Sequence, residues 1–336
     1  MNLLNDMTAD NDRLGEFDVI RDIFSPLSEK APGAFGLTDD AAVMSLAAGS
    51  ELVVTKDAMV AGVHFLEGDE PEHIAKKLLR TNLSDIAAMG AKPLSYLLAT
   101  AWPKSCDVAW IRRFAKGLAE DQKIYNVSLL GGDTVSTSGP LTLSLTLLGA
   151  VESGKCLRRN GAKEGDLLCV SGSIGDAALG LKVALQELEV SDNNHNQFLL
   201  NRYFVPRPRV LLGPALIGVA SSCLDISDGL LADVGHICRN SNLGAVIEQS
   251  KIPLSAAVQE VLLKTPDLME KVLSGGDDYE LAFTVPKDRY GQVMRKAESL
   301  DVPISVIGKM VTRLGVSLID DDGAEIPIPS MGWTHF

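Results

Sequence analysis

Two periods organise the chain. Apolar and hydroxyl side chains alternate over Leu141–Leu148, which reads L-T-L-S-L-T-L-L. That period of two predicts a strand with one greasy and one hydroxyl face. Glu51–Val60, rich in Val and Thr, predicts a second strand. A period near 3.6 over Glu72–Met89 and Trp110–Tyr125 predicts amphipathic helices, the first stopped by Gly90 and Pro93. Val19–Leu27 also reads as helical, ending near Pro26, and Ala31–Gly36 as a Gly/Pro loop. Gly149–Gly165, rich in Gly and basic residues, marks a junction between domains 1–150 and 151–336. Beyond it the pattern predicts a strand at Leu167–Val170, a turn at Gly172–Gly175 and a helix over Ala177–Glu189. Ser191–Asn196 reads as a polar loop. Val219–Ile226 predicts a strand running into a helix over Asp228–Cys238, with further strands at Leu281–Val285 and Ile304–Ile307. Strands and helices alternate in both halves, so the expected fold class is α/β or α+β with two domains.

Length agrees with that division: 336 residues at roughly 150 per domain make two. Lys plus Arg is 31 and Asp plus Glu is 44, a net charge of 31 − 44 = −13. Nucleic-acid affinity comes largely from neutralising phosphates with basic residues, so this balance argues against such a partner, and equally against an anionic membrane surface. No apolar run approaches the roughly 20 residues that span a bilayer. Residues 1–12 carry three Asp and no basic residue, unlike a secretory signal. The five cysteines are odd in number, widely spaced and without a C-x-x-C pair, which favours buried free thiols in a cytoplasmic protein.

The acids are not spread evenly. Asp39-Asp40, Asp57, Asp85, Asp133, Asp225 with Asp228, and Asp277-Asp278 with Glu280 sit at element ends beside Gly, Ser or Thr. Turn chemistry alone accounts for any one of these. Asp85 asks for more: at 100° per residue it shares a stripe about 80° wide with Ile74, Leu78, Asn82 and Met89. A carboxylate on an apolar face needs a hydrogen-bonding partner, a counter-ion or a metal. Alternation puts Asp57 on one strand face with Val53 and Thr55. Converging carboxylates repel, two at about 4 Å by on the order of 4 kcal/mol at an effective dielectric of 20. No matching run of Lys or Arg accompanies them, which leaves a divalent cation; all-oxygen donors favour Mg²⁺ or Ca²⁺. Mg²⁺ held by a few carboxylates is completed by substrate phosphates. Two strand–turn–helix junctions, Ser227–Gly229 and Gly172–Gly175, are expected to turn free backbone N–H groups toward such an anion. No G-x-x-x-x-G-K-[ST] phosphate loop and no protein-kinase signature occurs.

Seven motifs in one order carry a resemblance: G-L-T-D-D-A-A-V, D-A-M-V-A-G-V-H-F, N-L-S-D-I-A-A-M-G, G-G-D-T, S-G-S-I-G-D-A-A-L-G, D-I-S-D-G-L and S-G-G-D-D-Y-E-L. From about Gly15 to Phe336 the chain resembles the thiamine-monophosphate kinase family of aminoimidazole ribonucleotide synthetase-like enzymes. The resemblance implies ATP-dependent phosphorylation of thiamine phosphate to thiamine diphosphate. It implies several Mg²⁺ ions, ATP as co-substrate and a cytoplasmic homodimer. Residues 1–150 would form the dimerisation and ATP/Mg²⁺-binding domain, pairing with a second subunit in a β-barrel, and 151–336 a C-terminal α/β domain. Carried over by position, Asp40, Thr55, Asp57, Asp85, Asp133, Asp225 and Asp228 are the implied metal ligands. Lys56 stands where the family usually has a small hydroxyl residue. That leaves its backbone carbonyl as the donor, with its side chain either on a phosphate or along the other strand face. Tyr125, Gly132, Asp133, Arg159 and Ser227 are implied ATP contacts; His64, Asp277 and Trp333 are implied contacts to thiamine phosphate. No general base is implied, because the acceptor is an already ionised phosphate oxygen.

Competing readings stand beside these. His64 also suits a hydrogen-bonded core histidine, Trp333 a core cap and Arg159 a solvated side chain. At the level of function, the alternatives are another ATP-using enzyme of the superfamily or a non-catalytic acidic metal-binding dimer. Selenophosphate synthetase would carry a reactive Cys or selenocysteine early, and the first Cys here is Cys106. The hydrogenase-maturation relative would end in a Cys-bearing tail, where this sequence reads M-G-W-T-H-F.

Overall fold

The structure is a computed structural model that describes residues 15–328 and Gly332. Two compact units divide the chain. One holds residues up to Ser45, Lys56–Leu79 and Leu94–Leu147; the other holds Leu46–Thr55, Arg80–Pro93 and Leu148 onward.

Four strands make the first sheet: β1 (Ser50–Val60), β2 (Lys92–Pro103), β3 (Ser128–Thr137) and β4 (Thr142–Glu152), in the order β1-β4-β2-β3. β4 is the alternating segment, and Leu143, Leu145 and Leu147 are fully buried while Thr142, Ser144 and Thr146 are half-buried. The Gly-Gly-Asp-Thr motif lies inside a strand. Register sets Leu98 of β2 beside Gly132 of β3, and a Cβ at Gly132 would fall 1.8 Å from the Leu98 carbonyl oxygen. Glycine there lets two backbones approach. Helix Val108–Tyr125 starts at the Asp107 cap, whose carboxylate accepts from the Trp110 N–H, and ends at left-handed Asn126. Trp102, Trp110 and Phe114 pack together, with ring centroids 5.6–5.9 Å apart, and the Trp102 indole N–H donates to Thr134 Oγ1 at 2.8 Å. Both tryptophans are packing residues.

Helix Pro71–Ala88 differs from its stripe. Thr81, Asn82, Ser84 and Ile86 are all buried, so the helix has no solvent face along this stretch, and Asp85 is only half-buried.

The second sheet has seven strands: β5 (Leu167–Ser171), β6 (Ser222–Asp225), β7 (Gly244–Glu248), β8 (Leu281–Val285), β9 (Ile304–Val311), β10 (Gly315–Ile319) and β11 (Glu325–Ile326). Their order is β11-β10-β7-β9-β5-β8-β6, antiparallel except for β10 with β7. Alternation assigns the two faces. Leu168, Val170, Leu224 and Ala282 pack with Leu230, Val234 and Ile237 of helix Leu230–Ser241. Cys169, Cys223, Leu281 and Phe283 pack with Val293 and Ala297 of helix Tyr290–Ser299. All five cysteines are free, three of them buried.

Two stretches depart from their reading as loops, and the first, Pro32–Leu37, makes 3₁₀ turns. Asn193–Phe204 is a helix, because the Asp192 carboxylate accepts from the Asn194 and His195 N–H groups and caps it. Among the described residues no helix is long and apolar enough to cross a membrane.

Candidate active site

The carboxylates fall into two groups, one in each unit. In the first unit, Asp40 is exposed in the loop after Leu37, and Asp57 is half-buried on β1. Asp133 is exposed on β3 beside Ala99. Gly132 owes its identity to the close approach of β2. Tyr125 is the half-buried last residue of its helix. His64 Nδ1 accepts from the Val60 N–H at 3.1 Å, which ties the ring to the turn after β1. Trp333 lies outside the described residues.

In the second unit the Thr55 hydroxyl donates to Asp85 Oδ2 at 2.5 Å, so two implied ligands from β1 and the helix meet. Lys56, the next residue and part of the first unit, is exposed on the opposite side of β1, with Leu52 and Val54. The Ser84 hydroxyl, one residue before Asp85, lies beside the Asp225 carboxylate and favours its charged form. Asp225 ends β6 and is buried. Burial first, then the neighbouring Asp233 carboxylate, push it up to about 6, against the pull of Ser84 and Arg159.

Asp233 was not singled out in the sequence. It is buried in the first turn of helix Leu230–Ser241, and its Oδ2 accepts from the N–H groups of Ser227, Asp228 and Gly229 at 3.0, 3.0 and 3.2 Å. The expectation of free N–H groups at this junction is therefore corrected: an internal carboxylate already takes them. Burial, with Asp228 adding repulsion, pushes Asp233 up to about 7. The second junction is filled the same way. Asp278 accepts from the Gly175 and Ala177 N–H groups at 2.7 and 3.3 Å and is pushed up to about 8 by burial and then by Asp176. Arg159 is exposed on the segment whose Arg158 carbonyl accepts from the Cys223 N–H, and its charge acts on both Asp225 and Asp233.

Asp277 joins this group. Its N–H donates to the Ser227 carbonyl at 2.9 Å, and the Tyr279 N–H donates to the Ile226 carbonyl at 2.8 Å. A Cβ at Gly276 would lie 2.2 Å from the Ser227 oxygen. The turn holding an implied acceptor contact thus backs directly onto the turn holding an implied nucleotide contact.

Among the described residues no three carboxylate, imidazole or thiol side chains close on one point. The chain therefore offers part-shells. Their donors are all oxygen, and burial, with a neighbouring carboxylate adding to it, raises both Asp225 and Asp233. Such a set suits Mg²⁺, which keeps most of its positions for phosphate oxygens and water.

Comparison with known proteins agrees with the motif order. The AIR synthase related protein family matches through its N-terminal domain at residues 38–151 and its C-terminal domain at 163–321. The thiamine-monophosphate kinase of Caulobacter vibrioides is 44% identical over 323 residues, covering 95% of this chain and 90% of its own. The chain belongs to the thiamine-monophosphate kinase family. The thiamine-monophosphate kinase crystal structure from Stenotrophomonas maltophilia superposes with a TM-score of 0.83 at 39% identity, covering 93% of this chain and 98% of that one. A further family structure, AaThiL complexed with AMPPCP and TMP, has a TM-score of 0.76 at 30% identity, covering 98% and 100%. The two-domain aminoimidazole ribonucleotide synthetase-like fold expected from the seven motifs is thus the fold of this thiamine-monophosphate kinase family member.

Proposed function

We propose that this chain transfers the γ-phosphoryl group of ATP directly to thiamine phosphate, giving thiamine diphosphate and ADP. It is a thiamine-phosphate kinase of thiamine diphosphate biosynthesis. The observation that carries the reading is the full-length likeness to relatives of that name, one of them complexed with an ATP analogue and TMP. The meeting of the Ser227 and Asp277 turns supports it from this chain's own geometry.

An ionised oxygen of the acceptor phosphate attacks the γ-phosphorus in line as the bond to the β-phosphate oxygen breaks. The acceptor carries no proton to remove, so no side chain acts as general base. Asp40, Thr55, Asp57, Asp85, Asp133, Asp225 and Asp228, with the Lys56 carbonyl, are the proposed Mg²⁺ donors. When bound, Mg²⁺ neutralises the phosphate charge that would otherwise keep two polyanions apart. Tyr125, Gly132, Asp133, Arg159 and Ser227 hold the nucleotide, Arg159 placing a positive charge near Asp225 where phosphate oxygens would gather. His64, Asp277 and Trp333 hold the acceptor; a tryptophan face suits the flat cationic thiazolium by cation–π attraction.

The domain roles either side of residue 150, the cytoplasmic location and the homodimer belong to the same reading. Supporting the dimer, strands of the first sheet expose Leu52, Val54, Leu97 and Val135, each 39–55% accessible. Apolar side chains spread over a sheet fit a subunit interface that closes as a barrel. The test is incubation with Mg²⁺-ATP and thiamine phosphate, followed by chromatography. Stoichiometric thiamine diphosphate and ADP are expected, and folded, Mg²⁺-loaded protein that forms neither overturns the assignment.

A further inference from the structure

We propose that Arg209, Arg202 and Glu280 are positioning residues for Asp277, an inference that rests on Asp277 touching thiamine phosphate. Asp277 and Tyr279 both have left-handed backbones, with φ of +74° and +51°. Non-glycine residues hold that conformation only where their surroundings over-determine it. Between and after them, Asp278 and Glu280 are buried at 1% and 0% exposure. Tyr279 is buried as well, so three consecutive residues anchor the turn and half-buried Asp277 is the one it presents.

The anchors are ionic. Arg209 grips Glu280 with two parallel bonds, Nε to Oε2 and Nη2 to Oε1, both 2.5 Å. Arg202 Nη2 reaches Glu280 Oε1 at 3.1 Å and the Asp278 carbonyl at 3.2 Å. The Ser171 hydroxyl donates to Glu280 at 2.6 Å. Glycine at 172 leaves the space: a Cβ there would lie 2.2 Å from Glu280 Oε1 and 2.6 Å from Arg209 Nη2. On the presenting side, the Tyr279 hydroxyl donates to Asp277 Oδ1 at 3.1 Å.

Buried ion pairs seldom repay their desolvation better than packed apolar groups do. A bidentate arginine fork does supply direction, because it fixes the carboxylate plane. The nucleotide-side turn has separate support in the three N–H bonds to Asp233. Loosening Glu280 should therefore blunt acceptor binding selectively.

The test is calorimetric titration of thiamine phosphate and of AMPPCP into wild type, Arg209→Met and Arg209→Lys, with melting curves for each. Arg209→Met is expected to weaken thiamine phosphate at least tenfold and AMPPCP less than threefold. Arg209→Lys, which keeps the charge but loses the fork, is expected to restore the melting temperature and not the acceptor affinity. If Arg209→Met does not fold, Ser171→Ala must show the same selective loss. Unchanged acceptor binding, equal loss of both ligands, or full rescue by lysine overturns the proposal. Wild type that binds AMPPCP but not thiamine phosphate overturns instead the reading of Asp277 on which it rests.

Discussion

Asp233 offers a sharp test of how the nucleotide-side turn is held. Replacing it with alanine strands three backbone donors, those of Ser227, Asp228 and Gly229. At about 1 kcal/mol or more for each donor left unsatisfied, the loss is about 3 kcal/mol. Asparagine keeps an accepting oxygen and removes only the charge. Because the folded carboxyl sits near pH 7 and an unfolded aspartate near 3.8, the folded state holds the extra proton between those values. That contribution to stability is complete below about pH 4 and is lost as pH rises through about 7. Wild type should therefore lose about 1.4 kcal/mol per pH unit from this group across the window, on the order of 2 kcal/mol between pH 5 and 7. Asp233→Asn should remove that slope. Urea unfolding at pH 5, 6, 7 and 8, in chelator and without nucleotide, measures it for all three proteins. Parallel pH profiles for wild type and Asp233→Asn, or an alanine cost below about 1 kcal/mol at every pH, would refute the reasoning.

Asp85→Asn should keep the contact with Thr55 and the fold, yet cut thiamine diphosphate formation at least about 100-fold by removing a donor charge, as read by product formation alongside circular dichroism. Gly132→Ala should cost about 2–4 kcal/mol in denaturant titration, because its Cβ would sit 1.8 Å from the Leu98 oxygen and β2 and β3 would have to part. Val54→Asp, on the exposed face of β1, should shift the protein toward monomer in sedimentation velocity; an unchanged dimer would put the interface elsewhere. Mg²⁺ should bind more tightly as pH rises through about 6, releasing the proton held by Asp225, and titration in two buffers of different ionisation enthalpy counts it.

The elements that were legible have clean periods, while β2, β3, β7 and β10 carried no period that marked them. Leu143, Leu145 and Leu147 alternate, and all three are buried. The misreadings have physical causes. The 193–204 helix starts in a polar run, where its signal is Asp192 at the cap, and its apolar residues begin only at Phe198. Asp133 beside its glycines was read as an element end, yet it lies inside β3, where the glycines make room for β2. The stripe through Asp85 presumes an opposite wet face; from Lys77 to Ala88 every residue but Asp85 is buried, so there is none, and the polar residues are sorted by partner instead.

The site divides along the same line. Seven motifs in order were enough to determine the family, the oxygen chemistry of the donors and most of the residues proposed to use it, since those are properties of side-chain type and spacing. Which groups remain free to meet a ligand was decided only by the tertiary structure. The two helix starts that read as anion sites are filled from within, one by Asp233 and one by Asp278, which is 103 residues from Gly175. A backbone N–H is satisfied by whatever oxygen the fold brings within about 3 Å, and nothing local in the sequence records that distance.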